Sequence, residues 1–308
     1  MIFLEKNSKL YQKIVEGVEQ GAFRRADLKR GELIYHYTKM ESMKSIIENR
    51  CFWATEYRYL NDEEEFSYVQ KILKDVLIEE FGEFSPKNPV ADFLASIFEK
   101  LVAESLTEYF VISFSTNPDN LTLWAEFANP GCCLGMDLEK ILMPGSFLTC
   151  VRVIYKEKEQ KRLIRDTLEM IIDEFLGDGK TFTHKKERWQ YLKEKLKTNP
   201  DDQRIIGAAC AKVVAYYGMG MKSVLFQAEE EYRVICKAEG DVEYRCGRDM
   251  LIPFIKVPIR KQEEGQIQKL VLAPLNNTAL DIRAADGFMR KHKIENIKIE
   301  KSCLHLRF

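Results

Sequence analysis

The sequence contains none of the short patterns that usually announce a metal or nucleotide cradle. It has no C-x-x-C and no H-E-x-x-H, and its four histidines, His36, His184, His292 and His305, never fall at the i, i+3 or i+4 spacing of a helix-borne metal site. A zinc or histidine-bound metal centre is therefore not expected. No G-x-G-x-x-G follows a strand-like run, which argues against a doubly wound dinucleotide domain, and G-M-G-M-K-S (Gly218 to Ser223) lacks the spacing of a phosphate loop. The G-x-S-x-G of a strand-borne serine nucleophile is missing as well. No apolar run approaches the length of a membrane span, and the opening M-I-F-L-E-K-N-S-K-L is too short and too charged for a secretory signal. Neither sign of charge prevails: 47 Lys and Arg against 48 Asp and Glu leave a formal charge of -1, which speaks against a dedicated nucleic-acid binder. The eight cysteines are scattered through mostly apolar runs, the usage of reduced, buried thiols rather than of a disulfide frame. A soluble, cytoplasmic protein with no membrane association is the expectation.

What is present suffices for a folded core, with 45% hydrophobic and 11% aromatic residues over 308 positions. Apolar periodicity divides the chain into four stretches. Residues 1–32 carry Leu10, Ile14, Val15 and Val18 on helical spacing. Residues 33–155 hold strand-like runs at Leu33 to Thr38, Cys51 to Thr55, Tyr109 to Ser115, Cys132 to Asp137 and Leu148 to Tyr155. Between them, helices are expected at Met40 to Asn49, Glu63 to Phe81 and Ala91 to Ser105, with a short one through Trp124 to Phe127. Thr38 marks the expected start of the first helix, and Asn61 or Asp62 that of the second. Residues 156–222 are charged and helical throughout, Lys interleaved with Glu as on a solvated helix face. Residues 223–308 return to strands, at Tyr232 to Cys236, Val242 to Cys246, Leu251 to Lys256 and Lys269 to Leu272, before a helix over Thr278 to Lys291 and a last extended segment. One α+β domain spanning 1–308, with a helical insertion between two halves of a sheet, is the economical arrangement.

Three strand ends carry chemistry. In F-Q-A-E-E-E-Y-R-V-I (Phe226 to Ile235), three carboxylates precede an apolar run. Extended backbone there puts Glu229 and Glu231 on one side and Glu230 on the other, so that two acids face one cleft. Such a pair repels unless a cation, a donor network or an electron-poor substrate relieves it. The plainer account is a solvated edge, paired with Lys222 or Arg233. The second signal is His36 in Y-H-Y-T, which alternation places on the face opposite Tyr35 and Tyr37. The third is Ser113 with Ser115, two apart and on one face.

This layout resembles the ADP-ribosyltransferase-like superfamily, whose split sheet carries an arginine or histidine on the first core strand, a serine or tyrosine motif on a middle strand and a glutamate on a late one. From Leu33 to Phe308 the chain is also similar to an uncharacterised bacterial family. That family is marked by Y-H-Y-T, L-N-D-x-x-E, F-S followed by L-W, a G-x-C-x-G-x-D-like strand, and E-x-E-x-R. Here these stand at Tyr35 to Thr38, Leu60 to Glu65, Phe114 to Trp124, Gly131 to Asp137 and Glu229 to Arg233. Phe226 occupies the place where such families often have a tryptophan.

The resemblance implies a split β-sheet core with N-terminal helices, and NAD as substrate. The nicotinamide glycosidic bond would be cleaved and ADP-ribose passed to an acceptor, protein or nucleic acid, or to water as in an NAD glycohydrolase, in the manner of a bacterial toxin or phage-defence effector. Glu231 would stabilise the oxocarbenium-like ribose and Glu229 would orient or deprotonate the acceptor. Ser113 and Ser115 would hold Glu231 and the ribose, and His36 would donate to the adenosine-side ribose or diphosphate. Tyr37, or Tyr57 and Tyr59, would stack on a base, and Thr38, Asn61 and Arg233 complete the implied binding set. Two other readings stay open. Asp62, Glu65, Glu229 and Glu231 can instead converge on a divalent metal for phosphodiester cleavage, or the cleft binds ADP-ribose or a related nucleotide as a sensor without turnover.

Overall fold

Strand-forming and helix-forming runs alternate along the chain, and they fold into a large, mostly antiparallel open sheet accompanied by helices. The computed structural model describes residues 31–60, 64–81, 109–128, 130–143, 145–146, 149–176, 182, 185–198, 216–238, 240–247, 249–260, 266–274 and 278–304. The helices expected near residues 8–23 and 91–105 lie outside these, as do His184, His305, Asn61 and Asp62.

In chain order the described elements begin with β1 (Ile34–Thr38), α1 (Met40–Asn49), β2 (Cys51–Glu56), α2 (Glu64–Phe81), β3 (Tyr109–Ser115) and α3 (Leu121–Phe127). They continue with β4 (Cys132–Met136), α4 (Leu138–Ile141), β5 (Thr149–Arg152), α5 (Glu157–Leu176) and α6 (Lys185–Thr198). The last are β6 (Glu231–Lys237), β7 (Glu243–Cys246), β8 (Leu251–Pro258), β9 (Ile267–Leu272), α7 (Ala279–Lys291) and β10 (Lys298–Lys301). Thr38 does not start α1 as expected. It is still in the sheet, opposite Cys132, and Lys39 takes the N-cap position without a side-chain bond. Thr278 does cap α7, in a reciprocal box with Asp281.

The described residues fall into two compact units. Those between Leu60 and Phe81 and between Ile154 and Val224 form one; those before Leu60, between Tyr109 and Val153, and from Leu225 onward form the other. In the helical unit, α5 buries Ile164, Leu168, Ile172 and Phe175 along one stripe, and α2 buries Val69, Ile72, Leu73 and Val76. Lys161 and Arg165 of α5 share the Glu79 carboxylate of α2, at 3.0 and 2.7 Å, so part of that charged face ties two helices together. The buried pair Lys222–Glu65, 3.1 Å apart, belongs to the same unit.

The other unit is a ten-stranded sheet in the order β10-β9-β4-β1-β3-β2-β8-β7, with β6 on β3 and β5 on β6. Among the described strands, only the β9–β10 pair is parallel. One face is the larger core: Ile34, Phe52, Phe110, Ile112, Phe114, Leu134, Tyr232, Val234 and Leu270 pack with Met43, Ile46 and Ile47 of α1 and with Ala285 and Met289 of α7. The reverse face packs Tyr35, Tyr37, Cys133 and Val271 with Leu123 and Trp124 of α3. Two glycines of β4 and its approach are required by close packing. A Cβ on Gly131 would lie 2.3 Å from the Thr38 carbonyl oxygen, and one on Gly135 would lie 2.7 Å from the Tyr35 ring.

Candidate functional site

Strand β3 has three neighbours, and that fact shapes the site. β6 runs along one edge for its whole length, pairing Ser115 with Glu231 and Ser113 with Arg233. The other edge is shared. β2 pairs at Phe110 and Val111, β1 pairs at Ser115, and Ile112 to Phe114 have no strand partner on that side. The sheet therefore forks at Ser113, whose side chain is exposed although Val111 and Ser115 beside it on the same face are buried.

The carboxylate sequence meets this fork through a turn rather than an extended arm. Residues Val224–Glu229 form a 3-10 helix, Glu230 takes a left-handed φ of 46°, and the strand begins at Glu231. The expected placement of Glu229 and Glu231 on one side of a strand is thus corrected, because two-residue alternation holds only where the backbone is extended. The turn is held from the loop after β3. The Ser115 hydroxyl donates to the Glu229 carbonyl at 2.6 Å, the Thr116 amide to the Glu230 carbonyl at 3.2 Å, and the Thr116 hydroxyl to the Glu230 carboxylate at 2.8 Å. Asn120 donates its side-chain amide to the Ala228 carbonyl while its oxygen caps α3 by accepting from the Thr122 and Leu123 amides.

Glu231 is 6% exposed, and Arg233, two residues on and on the same face, is 1% exposed. The guanidinium donates from Nε to Oε1 at 2.8 Å and from Nη2 to Oε2 at 2.9 Å, a two-pronged pair that fixes the carboxylate's orientation. Tyr57 lies beneath the guanidinium, 6.0 Å from ring centre to Cζ. With 4% of its surface exposed, Tyr57 offers no open face for a base.

The remaining residues of Y-H-Y-T are divided between the two faces. Tyr35 is directly opposite Ser115 and so shares a face with it and with Glu231. Tyr37 is buried against Trp124 with ring centres 4.8 Å apart, and its hydroxyl donates to the Asn117 carbonyl at 2.7 Å and accepts from the Asn120 amide at 2.9 Å. Burial pushes the Tyr37 hydroxyl's pKa far up. His36 and Thr38, alternating with the two tyrosines, point to the side of the larger core. The structure does not bring His36 alongside Glu231: its ring sits between Phe52 and Phe114, 5.4 Å from each, on the larger core's side. It does reach the fork. Nδ1 bonds the Ser113 carbonyl at 3.0 Å, an oxygen that neither β1 nor β2 pairs, and that bond is open to solvent. Enclosure by the rings lowers the His36 pKa, and the carbonyl partly offsets this.

Residues missed in the sequence complete the picture. Asp119 gathers the Trp124 indole N–H at 2.6 Å, the Ser302 hydroxyl at 2.6 Å and the Cys303 amide at 2.7 Å, tying the C-terminal segment to the loop after β3. D-N-L-T-L-W carries the capping signal for this, but nothing local ties it to Ser302 and Cys303, which are 183 and 184 residues away. On the face of Glu231, β2 contributes Trp53 and Thr55, and β7 contributes Arg245, whose Nη2 donates to the Thr55 hydroxyl at 3.2 Å. Among the described residues no group of three His, Cys, Asp or Glu side chains can hold a metal ion, and no helix is long and apolar enough to cross a membrane.

Residues 123–234, from α3 into β6, match a family model described as "Protein of unknown function (DUF2971)". The match covers Leu123-Trp124, the Gly131 to Asp137 strand and Glu229 to Arg233. No curated protein and no solved structure matches the chain.

Proposed function

We propose that the chain cleaves the nicotinamide–ribose bond of NAD and passes ADP-ribose to an acceptor or to water, through a sheet related to the ADP-ribosyltransferase-like core. The observation that carries this reading is the central row of Tyr35, Ser115 and Glu231 across β1, β3 and β6, one step from a fork that opens at Ser113. It supplies a carboxylate on a rigid strand, locked in one orientation, beside an accessible hydroxyl. As nicotinamide departs, the ribose gains positive charge that exists mainly in the transition state, and a fixed carboxylate there lowers the barrier. In this reading Glu231 also accepts a hydrogen bond from the ribose 2′-hydroxyl, as a carboxylate oxygen can.

The fork residues then take distinct parts. Ser113 hydrogen-bonds the ribose from the Glu231 face, and His36, anchored through Nδ1, stiffens the fork from the other face. Glu229 acts through its carbonyl, which Ser115 holds, in the turn that presents Glu231. The acceptor is a protein side chain, a nucleic acid or water.

A second reading follows from the same pair. Arg233 neutralises Glu231, and a neutralised carboxylate stabilises a neighbouring cation less than a free one. On that ground a site that binds NAD or ADP-ribose without turnover is the alternative. Incubation with NAD labelled in the adenine ring, with and without cell lysate, separates the two. Label moving into free ADP-ribose or onto an acceptor supports cleavage; label recovered bound to the chain as intact NAD supports the sensor; label neither bound nor converted removes both.

A further inference from the structure

The proposed reaction accounts for Glu231 and the fork but leaves one cation on the same face unexplained. Arg245 of β7 is half-buried, and among the described residues its guanidinium touches no carboxylate. Its partner is the neutral hydroxyl of Thr55, and its Nε is buried with nothing to bond. The nearest acid on its own strand, Glu243, is occupied by Lys256 at 2.8 Å. Burial alone, with no acid to offset it, lowers the Arg245 pKa. A half-desolvated guanidinium with a single neutral acceptor is costly, and an anionic partner offsets that cost.

An aromatic platform lies next to it. Trp53, two residues before Thr55 on the same face of β2, is 43% exposed, while its other side stacks on Phe254 at 4.5 Å and 27° between ring planes. Phe254 is opposite both Thr55 and Glu243, so it floors the space between the indole and the guanidinium. Ser113 borders this space across the fork, since β2 leaves β3 just past Thr55, at Trp53. A cation with free donors beside a half-open indole is the arrangement that receives a phosphate and a planar ring carried on one molecule.

We infer that Arg245, Thr55 and Trp53 form a subsite for the phosphate groups and base of a nucleoside diphosphate, the ADP half of NAD if the proposed reaction is correct. The identity of the full ligand rests on that reading, whereas the subsite itself does not need Glu231. Arg245 grips the diphosphate, Thr55 orients the guanidinium, and the base lies on the free face of Trp53.

The test is calorimetric titration of the full chain with ADP and, separately, with inorganic pyrophosphate. ADP should bind, and pyrophosphate should bind more weakly for want of the ring. Arg245→Gln should weaken ADP by roughly 10- to 100-fold, and Arg245→Lys by less. Trp53→Ala should weaken ADP by roughly 5- to 100-fold while leaving pyrophosphate unchanged. Arg290→Gln on α7 makes the same charge change elsewhere and should leave both affinities within twofold; circular dichroism of each variant reports folding. Equal losses in Arg245→Gln and Arg290→Gln, or no ADP binding by the wild-type chain at millimolar concentration, overturns the subsite. ADP binding lost in Arg245→Gln, in a chain that never consumes NAD, keeps the subsite and removes the transferase.

Discussion

The Glu231–Arg233 pair can be tested as a structural element before any chemistry is asked of it. Replacing Arg233 by leucine keeps much of the side-chain volume but leaves a buried carboxylate, 6% exposed, without either of its bonds at 2.8 and 2.9 Å. Breaking a buried ion pair from one side in this way costs about 3–5 kcal/mol. Glu231→Gln instead sets a neutral amide where the guanidinium faced a carboxylate, and should cost somewhat less. The double variant removes both charges of the pair together, so most of the loss should return, giving a coupling of about 2–3 kcal/mol between the two sites. Urea denaturation followed by circular dichroism measures all four corners, and equal slopes across the variants confirm that stability has changed and compactness has not. An Arg233→Leu chain within about 1 kcal/mol of wild type, or changes that add to within about 0.5 kcal/mol, would show that the pair does not hold the start of β6. The carboxylate would then lack the fixed orientation on which its proposed role depends.

Two other outcomes follow from the geometry. The folded chain keeps His36 neutral, with its pKa below the ordinary 6.5, whereas the unfolded chain protonates near that value. Its contribution to stability is therefore complete above about pH 6.5 and is lost as pH falls toward the folded value; His36→Gln should flatten the stability profile between about pH 7 and 5, and an unchanged profile would show that the ring is not enclosed. Ser115→Ala removes the donor to the Glu229 carbonyl at 2.6 Å and the acceptor for the Asn117 amide at 3.0 Å. A loss of about 1–3 kcal/mol is expected in thermal or urea melts, and a neutral result would disconnect the serine from the turn.

Strand and helix positions were legible in the sequence because they are local properties. Apolar alternation marks Tyr109 to Ser115 and Tyr232 to Cys236, and the Thr278–Asp281 box starts α7 where the residues say it should. Alternation also placed His36 opposite Tyr35 and Tyr37. What it left open was which of those faces Glu231 shares, since that depends on the register Tyr35–Ser115–Glu231 across three strands. Glu229 falls outside the alternation for a different reason: the left-handed φ of Glu230 ends the extended geometry on which alternation depends. Trp53 and Arg245 are not legible in the sequence because they are far apart in the chain and come onto one face only through the pairing of β2, β8 and β7.

The most direct measurement is chromatographic assay of nicotinamide released from NAD by the wild-type chain and by folded Glu231→Gln. Carboxylate stabilisation of the ribose cation predicts release by the wild type and a rate lower by on the order of 10² to 10³ in the variant. Equal release by both, or none from a wild-type chain supplied with lysate, contradicts it.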